Sequence, residues 1–151
     1  MLRMSKLTDY GTLVLSQLAN AGTEPSSAGI VAGQTRIALP TVSKLLKALT
    51  RCGLVVSTRG SHGGYALARA AEQITAAEII DALEGPVAIT ECSANGGACN
   101  VEAYCRVGRA WQRINLSIRD ALQDITLADL QRDSDPMPAP DLKSHLKTAA
   151  N

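Results

Sequence analysis

Three of the four cysteines stand close together, as Cys92-x6-Cys99-x5-Cys105. Thiols so near one another in a reducing compartment favour joint ligation of a soft metal or an iron–sulfur cluster, because such centres select thiolate sulfur. Zinc sites use tighter pairs, with about two to four residues between ligands, and ferredoxin spacing also differs from this one. On chemistry alone, zinc, an iron–sulfur cluster and a thiol redox switch all stay open. Cys52, at the end of a predicted helix, is read as a small buried apolar residue instead. A cysteine-based hydrolase or thiol oxidoreductase fits poorly. There is no Cys-x-x-Cys pair, and the two histidines, His62 and His145, fall in a glycine-rich turn and a proline-rich tail. The chain is therefore read as a non-enzyme with no small-molecule substrate.

These thiols belong to a chain of 151 residues whose formal net charge is only +1. The near balance hides an asymmetry. Residues 1–70 carry eight Lys/Arg against Asp9 and Glu24, giving +6, whereas residues 71–151 carry seven basic and twelve acidic side chains, giving −5. A basic half and an acidic half suggest that only the first meets a polyanion. Hydrophobic residues make up 46% but aromatics only 3%, with no Phe, so the core must be Leu, Ile, Val and Ala. That suits packed helices and argues against single-stranded nucleic acid, whose bases need aromatic faces to stack on. The apolar runs, such as Leu13-Val14-Leu15, fall far short of the roughly 20 residues a membrane helix needs. The first residues also lack secretory features, so the expectation is a cytoplasmic protein without a membrane partner.

The elements that must position these groups follow from periodicity. Leu7, Tyr10, Val14 and Leu18 predict a helix over about 5–20, closed near Gly22. Ser26-Ser27 cap a short helix to about Gln34. Pro40 opens a third, with Val42, Leu45, Leu46 and Leu49 on one face, Thr41, Ser43, Lys44, Lys47 and Arg51 on the other, and Gly53 as its stop. Two β-branched or apolar stretches, 54–58 and 65–67, flank Arg59-Gly60-Ser61-His62-Gly63-Gly64 and predict a β-hairpin. That order describes a mainly α winged helix-turn-helix over 1–70. Thr75-Ala76-Ala77-Glu78 reads as a capping box, ahead of a helix ended by Gly85-Pro86. Beyond the cysteine loop a long helix is predicted from about Glu102 to Gln123, with Val107, Trp111, Ile114, Ile118, Ala121 and Leu122 as its stripe. A short one follows near Leu130. Residues 71–132 thus form a cysteine-loop and helical region, and 133–151, with three prolines, a flexible tail.

In such a motif the second helix enters the major groove. Pro40, Thr41, Ser43 and Lys44 are then placed near base edges, Lys47 near phosphates, Arg59 in the adjacent minor groove, and Ser61 and His62 at the wing tip.

These residues together resemble the iron–sulfur-binding winged-helix transcription regulators of the IscR/NsrR type, most closely those of SUF cluster assembly. The resemblance spans about residues 1–132. It rests on Leu7-Thr8-Asp9-Tyr10, Gly53-Leu54-Val55, Arg59-Gly60-Ser61-His62-Gly63-Gly64-Tyr65-Ala66-Leu67, the three cysteines and Ile125-Thr126-Leu127. It implies a homodimer whose long C-terminal helices cross, binding a palindromic promoter element of double-stranded DNA as a repressor. It also implies an iron–sulfur cluster held by Cys92, Cys99 and Cys105, with 2Fe–2S favoured and 4Fe–4S as the alternative. The fourth ligand varies among such regulators. Where some have a histidine, Gly108 stands here; where others use a carboxylate from the partner's first helix, the matching residue is Asp9. A zinc-binding or thiol-redox regulator with the same DNA module is the alternative function.

Overall fold

The computed structural model describes residues 4–60, 62–90 and 105–132. Helix α1 (Lys6–Asn20) starts where the Ser5 hydroxyl accepts the Leu7 N–H. Helix α2 (Ala28–Thr35) starts on Ser27, whose hydroxyl accepts the Ile30 N–H. Helix α3 (Leu39–Arg51) has no side-chain cap, and Pro40 lies in its first turn, where a missing N–H costs nothing. Its Val42, Leu45, Leu46 and Leu49 enter a core completed by Val14, Leu15 and Leu18 of α1 and Val31 of α2. Burying each of these leucines contributes about 1.5–3 kcal/mol.

The chain leaves α3 through Gly53, at φ 73, and Leu54 returns its N–H to the Leu49 carbonyl at 3.0 Å. This corrects the reading of Cys52. The helix ends at Arg51, the left-handed turn carries Cys52 outward, and Leu54 takes the next core position, so Cys52 is exposed.

Strands β1 (Val55–Thr58) and β2 (Gly64–Leu67) pair antiparallel, with Val55 opposite Leu67 and Thr58 opposite Gly64. A 3-10 turn (Ala71–Gln73) leads into α4 (Ala76–Leu83), which opens on the reciprocal Thr75–Glu78 capping box. Helix α5 (Gly108–Gln123) and helix α6 (Leu127–Arg132) follow. The latter is capped by mutual bonds between Thr126 and Asp129. Helix α6 folds back onto the start of α4: Leu127 donates its N–H to the Ile74 carbonyl, and Ala76 donates to Ile125, both at 2.8 Å. Leu127, Ile74 and Ile79 share the core with α1 and α3, so one hydrophobic cluster draws on both sides of residue 70.

Helix α5 begins later than its stripe predicts. Residues 105–107 are not helical, and the first bonds run from Ala110 and Trp111 to the Val107 carbonyl. Gly108, the weakest helix former in this stretch, marks the boundary. Residues 102–104, like the predicted tail at 133–151, lie outside the described residues. No helix among the described residues is long and apolar enough to cross a membrane.

Candidate nucleic-acid interface and cysteine site

The wing is fixed to the body by a backbone clamp. Ser26, just ahead of α2, and Tyr65, in β2, exchange N–H···O bonds of 2.9 Å in both directions. Gly64 allows that approach, since a Cβ there would lie 2.8 Å from the Ser26 carbonyl carbon and oxygen. The hairpin therefore holds a set position beside the helix-turn-helix, with Arg59 and His62 exposed beyond the end of β1. Ser61 lies outside the described residues. On α3, Pro40, Lys44 and Lys47 are exposed, while Thr41 and Ser43 are half-buried. The structure thus places the predicted base-reading and phosphate-facing residues on one helix and one hairpin that share a core.

The charge count of the first half is sharpened by the structure: from Pro25 to Ala71 there is no Asp or Glu against six Lys/Arg, and of these Arg69 is paired with Glu78 of α4. One feature of this surface was not read from the sequence. Arg36 closes α2 in the left-handed conformation, which leaves no mark in periodicity.

Of the three clustered cysteines, Cys105 is described and Cys92 and Cys99 lie outside the described residues. Cys105 is half-buried and lies three residues ahead of Gly108, where α5 begins, with Arg106, Arg109 and Arg113 exposed in and just before the first two turns. The positive end of the helix dipole and three guanidinium groups favour anionic ligands there. A Cβ on Gly108 would come 3.6 Å from the Cys105 sulfur, an ordinary contact distance, so the thiol lies beside the first residue of α5. A site of thiolates carrying a net negative charge fits these surroundings.

The entry to the cysteine segment is anchored on the same helix. Asn115, buried in α5, accepts the Ile89 N–H on Oδ1 and donates from Nδ2 to the Val87 carbonyl, each at 3.2 Å. Four residues on, Arg119 grips Asp81 of α4 through both guanidinium nitrogens, at 2.7 and 3.3 Å, and its pKa is raised by that hydrogen bond and charge. Just before the segment, Glu84 accepts the Thr8 hydroxyl and the Ser5 N–H, joining the end of α4 to the start of α1. The Thr8 hydroxyl first, then the Ser5 amide, hold its carboxyl below the usual range. Neither Asn115 nor Glu84 stands out in the sequence, since each is a polar residue in a polar-looking register.

Asp9 is exposed on α1, one turn from Thr12 and Leu13. With them it lines an apolar groove of about 490 Å³ that Ile79 and Ile80 of α4, Leu122 of α5 and Leu130 of α6 complete. Its neighbours on α5 are thus at the C-terminal end. Gly108 and Leu122 are separated by roughly 20 Å of helix. The structure does not bring Asp9 and Cys105 together within one protomer.

A second groove runs along α5 itself, lined by Ala110, Arg113, Ile114, Ser117, Ile118 and Ala121. Trp111 and Ile114 are 41% and 44% exposed, although the stripe predicts them to be packed.

Residues 4–133 match the profile of the Rrf2 family, described as an iron-dependent transcriptional regulator. The chain is 33% identical over 138 residues to the protein rrf2 of Nitratidesulfovibrio vulgaris, covering 91% of this chain and 92% of that one. It is likewise 33% identical over 144 residues to the HTH-type transcriptional regulator IscR of Cereibacter sphaeroides, covering 91% and 93%. Among solved structures it resembles CymR, the global cysteine regulator of B. subtilis, with a TM-score of 0.68 and 31% identity, covering 89% of this chain and all of that one.

Proposed function

The chain belongs to the Rrf2 family of iron-dependent transcriptional regulators, and from that premise we propose that it is a homodimeric repressor that senses iron–sulfur status and controls cluster-assembly genes. The observation that carries the sensing part is the convergence on α5. Cys105 precedes its positive end, and Asn115 ties the other end of the cysteine segment to the same helix. Cys92, Cys99 and Cys105 would hold the cluster, 2Fe–2S in the favoured form. Asp9 from the second protomer would be the fourth ligand. The geometry supports a contribution across the dimer, because two α5 helices crossing antiparallel bring the N-terminal end of one toward the Asp9 groove of the other. The exposed Trp111 and Ile114 suit that crossing. When bound, the cluster supplies iron–thiolate bonds whose formation depends on iron supply and on oxidants.

Residues 1–70 act as the DNA reader and 71–132 as the sensing and dimerising part. The protein's own residues link the two. Asn115 fixes residues 87–89 on α5, Arg119 fixes α5 on Asp81, and Ile79 of α4 packs in the core with Leu45 and Leu46 of α3. Ligation at the start of α5 thereby bears on the spacing of two recognition helices, and DNA and cluster affect each other's affinity by the same factor. Pro40, Thr41, Ser43 and Lys44 read bases, Lys47 meets phosphate, and Arg59, Ser61 and His62 form the wing contact.

Anaerobic purification followed by visible absorption and iron and sulfide analysis tests the sensing part. The native protein is expected to be coloured and Cys92→Ala colourless; a Cys92→Ala protein with full iron and sulfide would overturn the ligand set. Colourless native protein, with stoichiometric zinc or with no metal, would replace the cluster by the zinc or thiol-redox reading. For the reader, Arg59→Ala is expected to weaken specific DNA binding by about 1–3 kcal/mol, and unchanged affinity in titration would remove the wing from the interface.

A further inference from the structure

One residue of the helix-turn-helix holds a backbone conformation that its type disfavours. Arg36 closes α2 at φ 57 and ψ 21, and it is the only non-glycine residue with positive φ among the described residues. Any residue with a Cβ is strained there, and glycine is not. The turn itself ends α2 and brings Ile37 against the core, but the Arg36 side chain is exposed, and among the described residues no hydrogen bond or ion pair holds its guanidinium. Nor is a counter-charge near in the chain, since residues 25–71 contain no acid. That turn would be made at lower cost by glycine, so an arginine kept there with no internal partner for its guanidinium points to a contact made outside the molecule.

We infer that Arg36 is a phosphate-contacting residue of the DNA interface. It stands in the turn three residues ahead of Leu39, where α3 begins. The α3 residues Pro40, Thr41, Ser43 and Lys44 are placed at base edges, so the turn ahead of them lies over the sugar–phosphate strand bounding the groove. A guanidinium there donates two hydrogen bonds to a phosphodiester and fixes the protein's position without reading sequence. This rests on the DNA-binding reading above. It adds a contact outside both the recognition helix and the wing.

The test uses the full-length chain and a fluorescein-labelled mixed-sequence duplex, with anisotropy titrations over a potassium chloride series and thermal midpoints by circular dichroism. For Arg36→Gly and Arg36→Ala, the plot of log affinity against log salt is expected to be shallower by about 0.9 for each protomer engaged. Arg36→Lys should keep the native slope. The midpoint of Arg36→Gly should equal or exceed the native one, because glycine accepts the left-handed turn. A native slope in Arg36→Gly would overturn the inference. So would a lost slope accompanied by a lowered midpoint and no rescue by lysine, which would make the residue structural. A native chain without salt-dependent duplex binding would instead remove the DNA-reading surface as a whole.

Discussion

Val42, Leu45, Leu46 and Leu49 of α3 recur at i, i+3, i+4 and i+7, and every one of them is at most 2% exposed. Helix α5 carries an equally regular stripe, yet its only buried residues are Gly108 and Asn115. The two helices teach different lessons about the same signal. Amphipathic periodicity says that a helix has an apolar partner, but not that the partner lies in the same chain. Helix α3 finds its partner in α1 and α2, and its stripe is spent on folding. Helix α5 meets its own body through the polar groups Asn115 and Arg119 and through Leu122 near its C-terminal end, while Trp111 and Ile114 stay exposed.

Substitutions on the two helices separate these roles. The largest effect belongs to α3: Leu46→Ala should destabilise the fold by about 2–5 kcal/mol in denaturant unfolding, through lost burial and a residual cavity. A loss well under 1 kcal/mol would mean the core collapses around the site. Next comes Trp111→Ala in α5, which should leave secondary structure intact while weakening self-association by about 2 kcal/mol in sedimentation equilibrium. If unfolding changed and association did not, the exposed stripe would be ordinary surface. Asn115→Ala should cost about 1–2 kcal/mol, because the Ile89 N–H and Val87 carbonyl lose their partners. Hydrogen exchange at Ile89, rising while that of α3 stays slow, is the distinguishing readout.

The smallest effect is acid sensitivity. Glu84 and Asp129 have depressed folded pKa values, Glu84 through the Thr8 hydroxyl and Ser5 amide and Asp129 through the Thr126 hydroxyl and amide. Burial raises Glu78, but the Thr75 amide and Arg69 outweigh it. Depressed carboxylates stabilise the fold above their unfolded pKa, about 4. That contribution is lost as pH falls through the folded values. The thermal midpoint should therefore stay flat from pH 7 to about 5 and fall below that, with Glu84→Gln less acid-sensitive than the native chain.

Much of the fold was legible because it is carried by local rules. The Thr75–Glu78 cap, the α3 stripe and the glycine-rich hairpin each announce themselves within a few residues. What escaped depends on where the chain goes next. Cys52 continues the α3 stripe in sequence, but the turn at Gly53 hands its place to Leu54. Val107 continues the α5 stripe, yet the helix begins only after it. Asn115 becomes a buried clamp because residues 87–89 pass over it, a long-range event with no local signature. At the candidate sites, the residue types on α3 and the wing were readable, and so was the cysteine spacing. The separation of Asp9 from Cys105 was not, since it depends on which end of α5 meets α1.

The Asn115 clamp also makes one helix answerable for two separate points of the chain. Its side-chain amide holds residues 87 and 89 at the middle of α5, and Cys105 stands three residues ahead of Gly108, where the same helix begins. A shift or rotation of α5 therefore displaces both points together. Asn115→Ala would uncouple them without altering a single sulfur.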